Sequence, residues 1–396
     1  MARICPNSAC GKRYPDDASF CGECGSITIE EQHASDRDPR LGQRLGDYLV
    51  VARVADGAMG RVYEGRHHQT RDRVAIKVLH AEVAKDPVSV ERFRREFETA
   101  RELSHPNIVH TVDYGTTADG LSFLIMEFLE GEELGKVLRR GQPLPPARIV
   151  RLFSQLGVAL DYAHSFGVIH RDLKPDNIFL CRSDAGDALR ILDFGSVKLQ
   201  MDTGPKLTAF GTTLGSPYYM SPEQAMGRTD VDQRTDVFAL AAILYECVTG
   251  KVAFDAPNVA QILMKIINDQ PPSPRHLQPA LPPRIDDVVD RGLRKAKTER
   301  FASASALAAA VCDAYGLEPR PARWADTPVD DVARALASST PPPAGAFVDE
   351  APARPKATSA ESDLPAGVAP RRSGFVIGVA VGALALVAVV TALLMR

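Results

Sequence analysis

The stretch VIHRDLKPDNIFL, residues 168–180, constrains this chain more than any other. Its central string, H-R-D-L-K-P-D-N, has little chance of arising at random. ILDFGS follows at residues 191–196, and GSPYYMSPE closes the segment at residues 215–223. Any fold proposed for the chain must bring these blocks together and give them a use.

Upstream, YLVVARV, RVYEGR and RVAIKVL are short, rich in β-branched residues and bounded by turn signals, so they read as strands. The third carries Lys77. VSVERFRREFETARELSH then shows helical periodicity and contains Glu96. The first two strands flank VADGAMGRVYEG, which spaces Gly57, Gly60 and Val62 like a phosphate-binding loop but has Ala55 where a first glycine belongs. Alone, glycines at this spacing are mostly turns. A lone strand lysine is usually solvated and a helix glutamate usually superficial, so Lys77 and Glu96 gain meaning only from the downstream blocks.

The order is glycine loop, strand lysine, H-R-D loop, then D-F-G. Over about residues 48–312 the chain resembles the protein kinases, most closely the bacterial eukaryotic-type (Hanks-type) Ser/Thr kinases. The resemblance implies an α+β bilobal fold, with a small β-rich N-lobe and a larger, mainly α C-lobe. It implies ATP with Mg²⁺ or Mn²⁺ as cofactors and Ser/Thr-bearing proteins as substrates. By resemblance, Lys77 grips the α- and β-phosphates and is held by Glu96, while Asp193 and Asn177 hold the metal. Asp172 takes or orients the hydroxyl proton, and Lys174 reaches the transferred phosphate. Ser216 stands where the family usually has a threonine that bonds Asp172 and Lys174.

The resemblance further implies an apolar adenine pocket. Val54, Val62 and Ala75 form its roof and Phe179 its floor, with Met126 as gatekeeper and the backbone of Glu127 and Leu129 facing adenine. Glu223 is expected to pair with Arg300, and Asp236 to brace the catalytic loop from beneath. Arg171 is the family's contact for a phosphorylated activation-loop residue, for which Thr208, Thr212 and Thr213 are candidates. Of these, Thr208 matches the usual site best. Lys77, Asp172 and Asp193 are all retained, which disfavours the rival reading of a pseudokinase membrane scaffold. The GSPYYMSPE segment disfavours a small-molecule kinase.

Composition divides the rest. Residues 1–30 hold Cys5-x4-Cys10-x10-Cys21-x2-Cys24, which resembles a small zinc ribbon, the thiolates supplying a tetrahedral Zn²⁺ site. Two disulfides are the alternative, disfavoured by a cytoplasmic setting. Residues 31–47 are polar and read as a connector, and residues 48–316 as the kinase domain. Residues 317–374, rich in Pro, Ala and Ser, read as a disordered linker in which VDDVARALA could form a short helix.

Residues 375–395 carry no charge and would span roughly 30 Å as a helix, the thickness of a bilayer core. They read as one transmembrane helix, a single-pass C-terminal anchor. Arg371 and Arg372 precede it, so the positive-inside rule leaves the kinase domain in the cytoplasm. Gly378 and Gly382 make a face on which two copies can pair as a homodimer. A net charge of −3 and the lack of a basic block argue against nucleic acid as a partner.

Overall fold

The computed structural model describes residues 3–5, 11–15, 17–18, 21–23, 28–30, 38–57, 59–194 and 217–345. Cys10, Cys24, Thr208, Thr212, Thr213, Ser216 and the apolar run at 375–395 lie outside the described residues.

The N-terminal segment contributes a three-stranded antiparallel sheet of two-residue strands, β1 (Arg3–Ile4), β2 (Arg13–Tyr14) and β3 (Ile29–Glu30), in the order β2-β1-β3. Ile4 packs with Leu41 and Leu49 against the buried Val51, which seats this sheet on the one that follows. Cys5 and Cys21 are buried. Among the described residues no group of three or more His, Cys, Asp or Glu side chains could hold a metal ion.

The next sheet has six strands in the order β4-β5-β6-β7-β9-β8. β4 (Arg44–Leu45), β5 (Tyr48–Asp56), β6 (Gly60–His67) and β7 (Arg73–Leu79) form an antiparallel meander. After it come α1 (Ala81–Ala84) and α2 (Pro87–Glu102), then β8 (Thr111–Thr116) and β9 (Ser122–Glu127). α2 starts where Asp86 caps the amides of Val88 and Ser89 and Pro87 supplies a preset φ. One sheet face buries Val50, Tyr63, Val74, Ile76, Val78, Phe123 and Ile125. The other receives α2 through Phe93, Leu79 and Leu124.

The expected connector over 31–47 needs correction for residues 38–47. Leu45 is buried in the sheet, and the Asp38 carboxylate is buried beside Tyr63, whose hydroxyl donates to it at 2.9 Å. Polar composition hid two anchors.

The second lobe begins with β10 (Gly131–Glu133), α3 (Leu134–Leu138) and α4 (Pro146–Ser165). β11 (Ile178–Cys181) and β12 (Ala188–Ile191) pair antiparallel beside β10. α5 (Pro222–Ala225) precedes α6 (Arg234–Thr249), whose residues are nearly all buried, so it is the helix around which the lobe is built. α6 stops at Gly250, which takes the left-handed φ of 72° that ends a helix without Cβ strain. α7 (Val259–Asn268), α8 (Pro274–Leu277), α9 (Arg284–Gly292) and α10 (Ala304–Ala314) complete the bundle. The α+β two-lobe expectation and the observed architecture agree.

The linker expectation is overturned for residues 317–345, apart from the short helix expected at VDDVARALA, residues 329–337, which is present. α11 (Pro321–Asp326) and α12 (Val329–Ser338) pack on the second lobe and bury Trp324 and Val332. The Trp324 indole donates to the Glu318 carbonyl at 2.7 Å, and Arg151 of α4 donates to the Thr327 carbonyl at 2.9 Å. The prolines that signalled disorder here open helices, a position where proline has no hydrogen bond to lose. Among the described residues no helix is long and apolar enough to cross a membrane.

Candidate active site

The site lies where the strand sheet meets the loops around β11 and β12. Lys77 sits in β7, in register with Val62 on one side and Leu124 on the other. Its ammonium lies 2.8 Å from Asp193 Oδ1 and 3.3 Å from Glu96 Oε1 of α2. Burial would lower the Lys77 pKa, but the two carboxylates outweigh it and raise it. Burial would raise the pKa of Asp193, yet the adjoining Lys77 charge holds it down. Glu96, deeply buried and facing Asp193, is pushed up despite Lys77. Two carboxylates thus compete for one cation, and Asp193 holds the larger share.

Asp193 adopts φ 54°, a conformation costly for a side chain with a Cβ. Next to it, Phe194 is buried and its ring lies 4.9 Å from that of His170. His170 Nε2 bonds the Leu192 carbonyl at 2.9 Å, so that nitrogen carries the proton. These contacts turn the aspartate toward Lys77 and the phenylalanine into the core.

Across the cleft, Lys174 Nζ donates to Asp172 Oδ2 at 2.7 Å. Asn177 Nδ2 donates to the Asp172 carbonyl at 2.7 Å and to Oδ2 at 3.3 Å. That orientation leaves the Asn177 amide oxygen, with the Asp193 carboxylate, as hard oxygen donors of the kind Mg²⁺ or Mn²⁺ accepts. Asp236, fully buried at the start of α6, accepts from the amides of His170 and Arg171 at 2.8 Å each and from His164 at 2.8 Å. Arg171, one of the two clasped residues, takes φ 61°. Asp236 thus braces the catalytic loop from beneath. Glu223 and Arg300, both buried, form a bidentate pair at 2.7 and 2.8 Å, and Thr235 also donates to Glu223 at 2.8 Å.

The nucleotide loop is a tight hairpin, with the Gly57 amide donating to the Gly60 carbonyl at 3.0 Å. A Cβ on Gly60 would lie 2.3 Å from the Val78 carbonyl oxygen, so glycine there is dictated by the neighbouring strand rather than by a phosphate. Ala55 pairs with Val62 inside β5 and is not among the described non-glycine residues with positive φ. The missing first glycine therefore has no conformational role to fill.

Ala75 lies opposite Met126 in the β7–β9 register. Val54 is 53 % exposed at an irregularity of β5, Met126 and Leu129 are half-buried, and Phe179 sits on β11 opposite Glu133. The Glu127 amide donates to the His110 carbonyl at 3.0 Å, while its side chain accepts from the His110 amide and from Arg190, which fixes the hinge backbone. Arg73 stacks over Phe128 of the same hinge at 4.0 Å. Sequence reasoning missed His80, whose Nε2 lies 2.8 Å from the Gly57 carbonyl. It also missed Asn107, whose amide donates to Gln155 and to the Leu189 carbonyl at 3.0 Å each. Neither carries a local signal, since each depends on a partner distant in sequence.

Residues 48–311 match the protein kinase domain family. The chain is 38 % identical over 280 residues to serine/threonine-protein kinase pkn3 of Myxococcus xanthus, covering 69 % of this chain and 51 % of that protein. It is 37 % identical over 322 residues to serine/threonine-protein kinase PknH of Mycobacterium bovis, covering 81 % of this chain and 52 % of that protein. The chain thus spans about half the length of the curated relatives it matches. Among solved structures it is similar to the Mycobacterium tuberculosis PknI kinase domain, at 30 % identity and a TM-score of 0.55, over 68 % of this chain and 97 % of that one. With the lysine, the two aspartates and the asparagine gathered at one cleft, and with these matches, the chain belongs to the protein kinase family.

Proposed function

We propose that the chain is an ATP-dependent protein serine/threonine kinase that transfers the γ-phosphoryl group to Ser or Thr hydroxyls. The observation that carries this reading is the joining of Lys77 to both Glu96 and Asp193, facing the Asp172–Lys174–Asn177 cluster. Phosphoryl transfer needs charge neutralisation and alignment more than covalent help. Asp172 orients the incoming hydroxyl and takes its proton as the oxygen–phosphorus bond forms and the bond to the β-phosphate oxygen breaks. Lys174, already on Asp172, neutralises charge on the moving group. Lys77 holds the nucleotide phosphates. Asp193 and Asn177 hold Mg²⁺, which when bound neutralises charge on the phosphate oxygens. The test is ATP-dependent phosphorylation of a Ser/Thr protein substrate, with Asp172→Asn as control. Equal activity in that variant refutes the mechanism.

The finer reading extends beyond the catalytic lobes. Cys5, Cys10, Cys21 and Cys24 hold a structural Zn²⁺ in a ribbon at residues 1–30. Buried Cys5 and Cys21, with the Tyr14 hydroxyl 3.0 Å from Cys21 Sγ, support a compact segment there. Unchanged zinc content in a Cys21→Ser, Cys24→Ser variant refutes this. Residues 375–395 anchor the chain in the membrane and leave the kinase domain cytoplasmic; their uncharged length supports it. Recovery of the full chain in the soluble fraction refutes it. The G-x-x-x-G face pairs two copies, and Thr208, Thr212 or Thr213 is autophosphorylated and read by Arg171.

A further inference from the structure

A continuous run of polar contacts leads from the segment before the catalytic lobes to the nucleotide loop. Ile4, next to Cys5, packs with Leu41 against Val51. Three residues before Leu41, the Asp38 side chain is 2 % exposed. Its carboxylate accepts from the Tyr63 hydroxyl at 2.9 Å, from Arg61 at 3.3 Å and from the Arg40 amide at 3.0 Å. Burial, with Asp38 beside it, pushes the Tyr63 hydroxyl up to about 12, so this donor keeps its proton.

Arg61 turns its other edge to Asp56, Nε to Oδ2 at 2.9 Å, and Arg53 reaches the same oxygen at 2.8 Å. The second oxygen of Asp56 lies 3.1 Å from His80 Nε2. That nitrogen also faces the Gly57 carbonyl at 2.8 Å, and both partners are acceptors, so Nε2 carries the proton. The His80 amide donates to the Met59 carbonyl at 3.0 Å. One residue therefore holds both sides of the loop tip.

We propose that Asp38, Arg61, Asp56 and His80 form a positioning relay through which the cysteine-bearing N-terminal segment sets the affinity of the nucleotide loop for ATP. The proposal rests on the reading of this domain as an ATP-dependent kinase. Glycine loops move because few contacts restrain them. A hydrogen bond to the Gly57 carbonyl and another to that of Met59 restrain this one where it must close over phosphates. Asp56, Arg61 and His80 are about one third exposed, so each link alone is weak. The relay acts because Asp38 is buried and because Arg61 grips two carboxylates with one rigid fork. None of the four touches a reacting atom, so the effect falls on nucleotide binding and not on the chemical step.

The test uses the full chain and measures Kd for a fluorescent ATP analogue with Mg²⁺, together with KM for ATP and kcat. His80→Ala is expected to raise Kd and KM about fivefold with kcat within about twofold, as for loss of one hydrogen bond outside the reacting centre. His80→Gln, which keeps a donor near Nε2, is expected to restore most of the affinity. Asp38→Asn is expected to raise KM about threefold, and adding it to His80→Ala to change little more, because residues in one network do not act additively. Ile4→Asp, which unseats β1, is expected to shift KM in the same direction. Analogue binding by the wild type with unchanged KM in His80→Ala or Ile4→Asp overturns the relay and leaves the kinase reading standing. Additivity of Asp38→Asn and His80→Ala also overturns it. Failure of the wild type to bind the analogue overturns both.

Discussion

Lys77 is closer to Asp193 than to Glu96, at 2.8 Å against 3.3 Å. The lysine comes from the strand sheet and the aspartate from the turn after β12, so one ion pair ties the two lobes across the cleft. On the proposed reading, nucleotide phosphates carry the same sign as Asp193 and would compete with it for Lys77, while a divalent cation would supply Asp193 with a new counter-charge. Lys77→Met is therefore expected to lower kcat/KM by at least about 10²-fold. Glu96→Gln should cost about tenfold, since it keeps a hydrogen-bonding oxygen and loses charge. Steady-state kinetics at saturating Mg²⁺ check both; equal losses would show that Glu96 acts as more than a brace.

The nucleotide loop gives two substitutions with opposite expectations. Gly60→Ala would put a Cβ 2.3 Å from the Val78 carbonyl, and backbone cannot give way as a side chain can. ATP affinity should fall by about tenfold or more as the hairpin shifts. Ala55→Gly should change it by about twofold at most, because the strand geometry at residue 55 does not call for glycine. Nucleotide titration of both variants checks the pair, and a large gain in Ala55→Gly sinks the account.

Arg300→Met should destabilise the second lobe by about 3–5 kcal/mol, because it leaves the buried Glu223 carboxylate without its counter-charge. Glu223→Gln together with Arg300→Met should recover part of that loss. Urea unfolding of the single and double variants reads it out. Equal destabilisation in both would mean that the pair matters through packing, for instance Arg300 against the Phe238 ring at 4.9 Å.

His164 makes stability fall on the alkaline side. Burial would lower its pKa, but the Asp161 and Asp236 carboxylates outweigh burial and raise it to about 9. Asp236 accepts its hydrogen bond, whereas Asp161 stands 3.9 Å away and adds charge alone. The folded value lies above the usual ~6.5. The contribution is thus complete below about pH 6.5 and is lost as pH rises through about 9, on the order of 3 kcal/mol in all. Lys295, whose pKa burial lowers to about 8, has the opposite slope above that pH. The quantity to measure is therefore the difference between wild type and His164→Gln in unfolding from pH 6 to 10. It should shrink with rising pH, and a constant difference would disprove the assignment.

Trp324→Ala should cost about 3–5 kcal/mol, as for a buried aromatic removed from a core. A loss under about 1 kcal/mol would mean that α11 only rests on the lobe.

The site was legible in the sequence to the extent that its chemistry is local. Asp172, Lys174 and Asn177 lie within one short loop, and Asp193 follows at a short distance, so order and spacing betray them. Glu96 could be named only through its family resemblance, because helix position alone does not aim a side chain at a strand lysine nineteen residues earlier. Asp38 and His80 were not legible: each matters through partners brought near by the sheet, and neither stands in a motif. The error at 317–345 had a different source. Composition rich in Pro and Ala suits both a linker and a pair of proline-started helices. What decides between them is whether a lobe offers a bed for Trp324 and Val332, a property of the surface opposite.

That bed has a practical side. A fragment ended at residue 311, where the family match stops, would cut α10 before Cys312 and strip the cover from the α4 face that α11 and α12 occupy. The uncovered face would expose the apolar side chains on which Trp324 and Val332 pack, the kind of surface on which chains stick to one another. Handling of the catalytic body in solution therefore turns on some thirty residues that contain none of its chemistry.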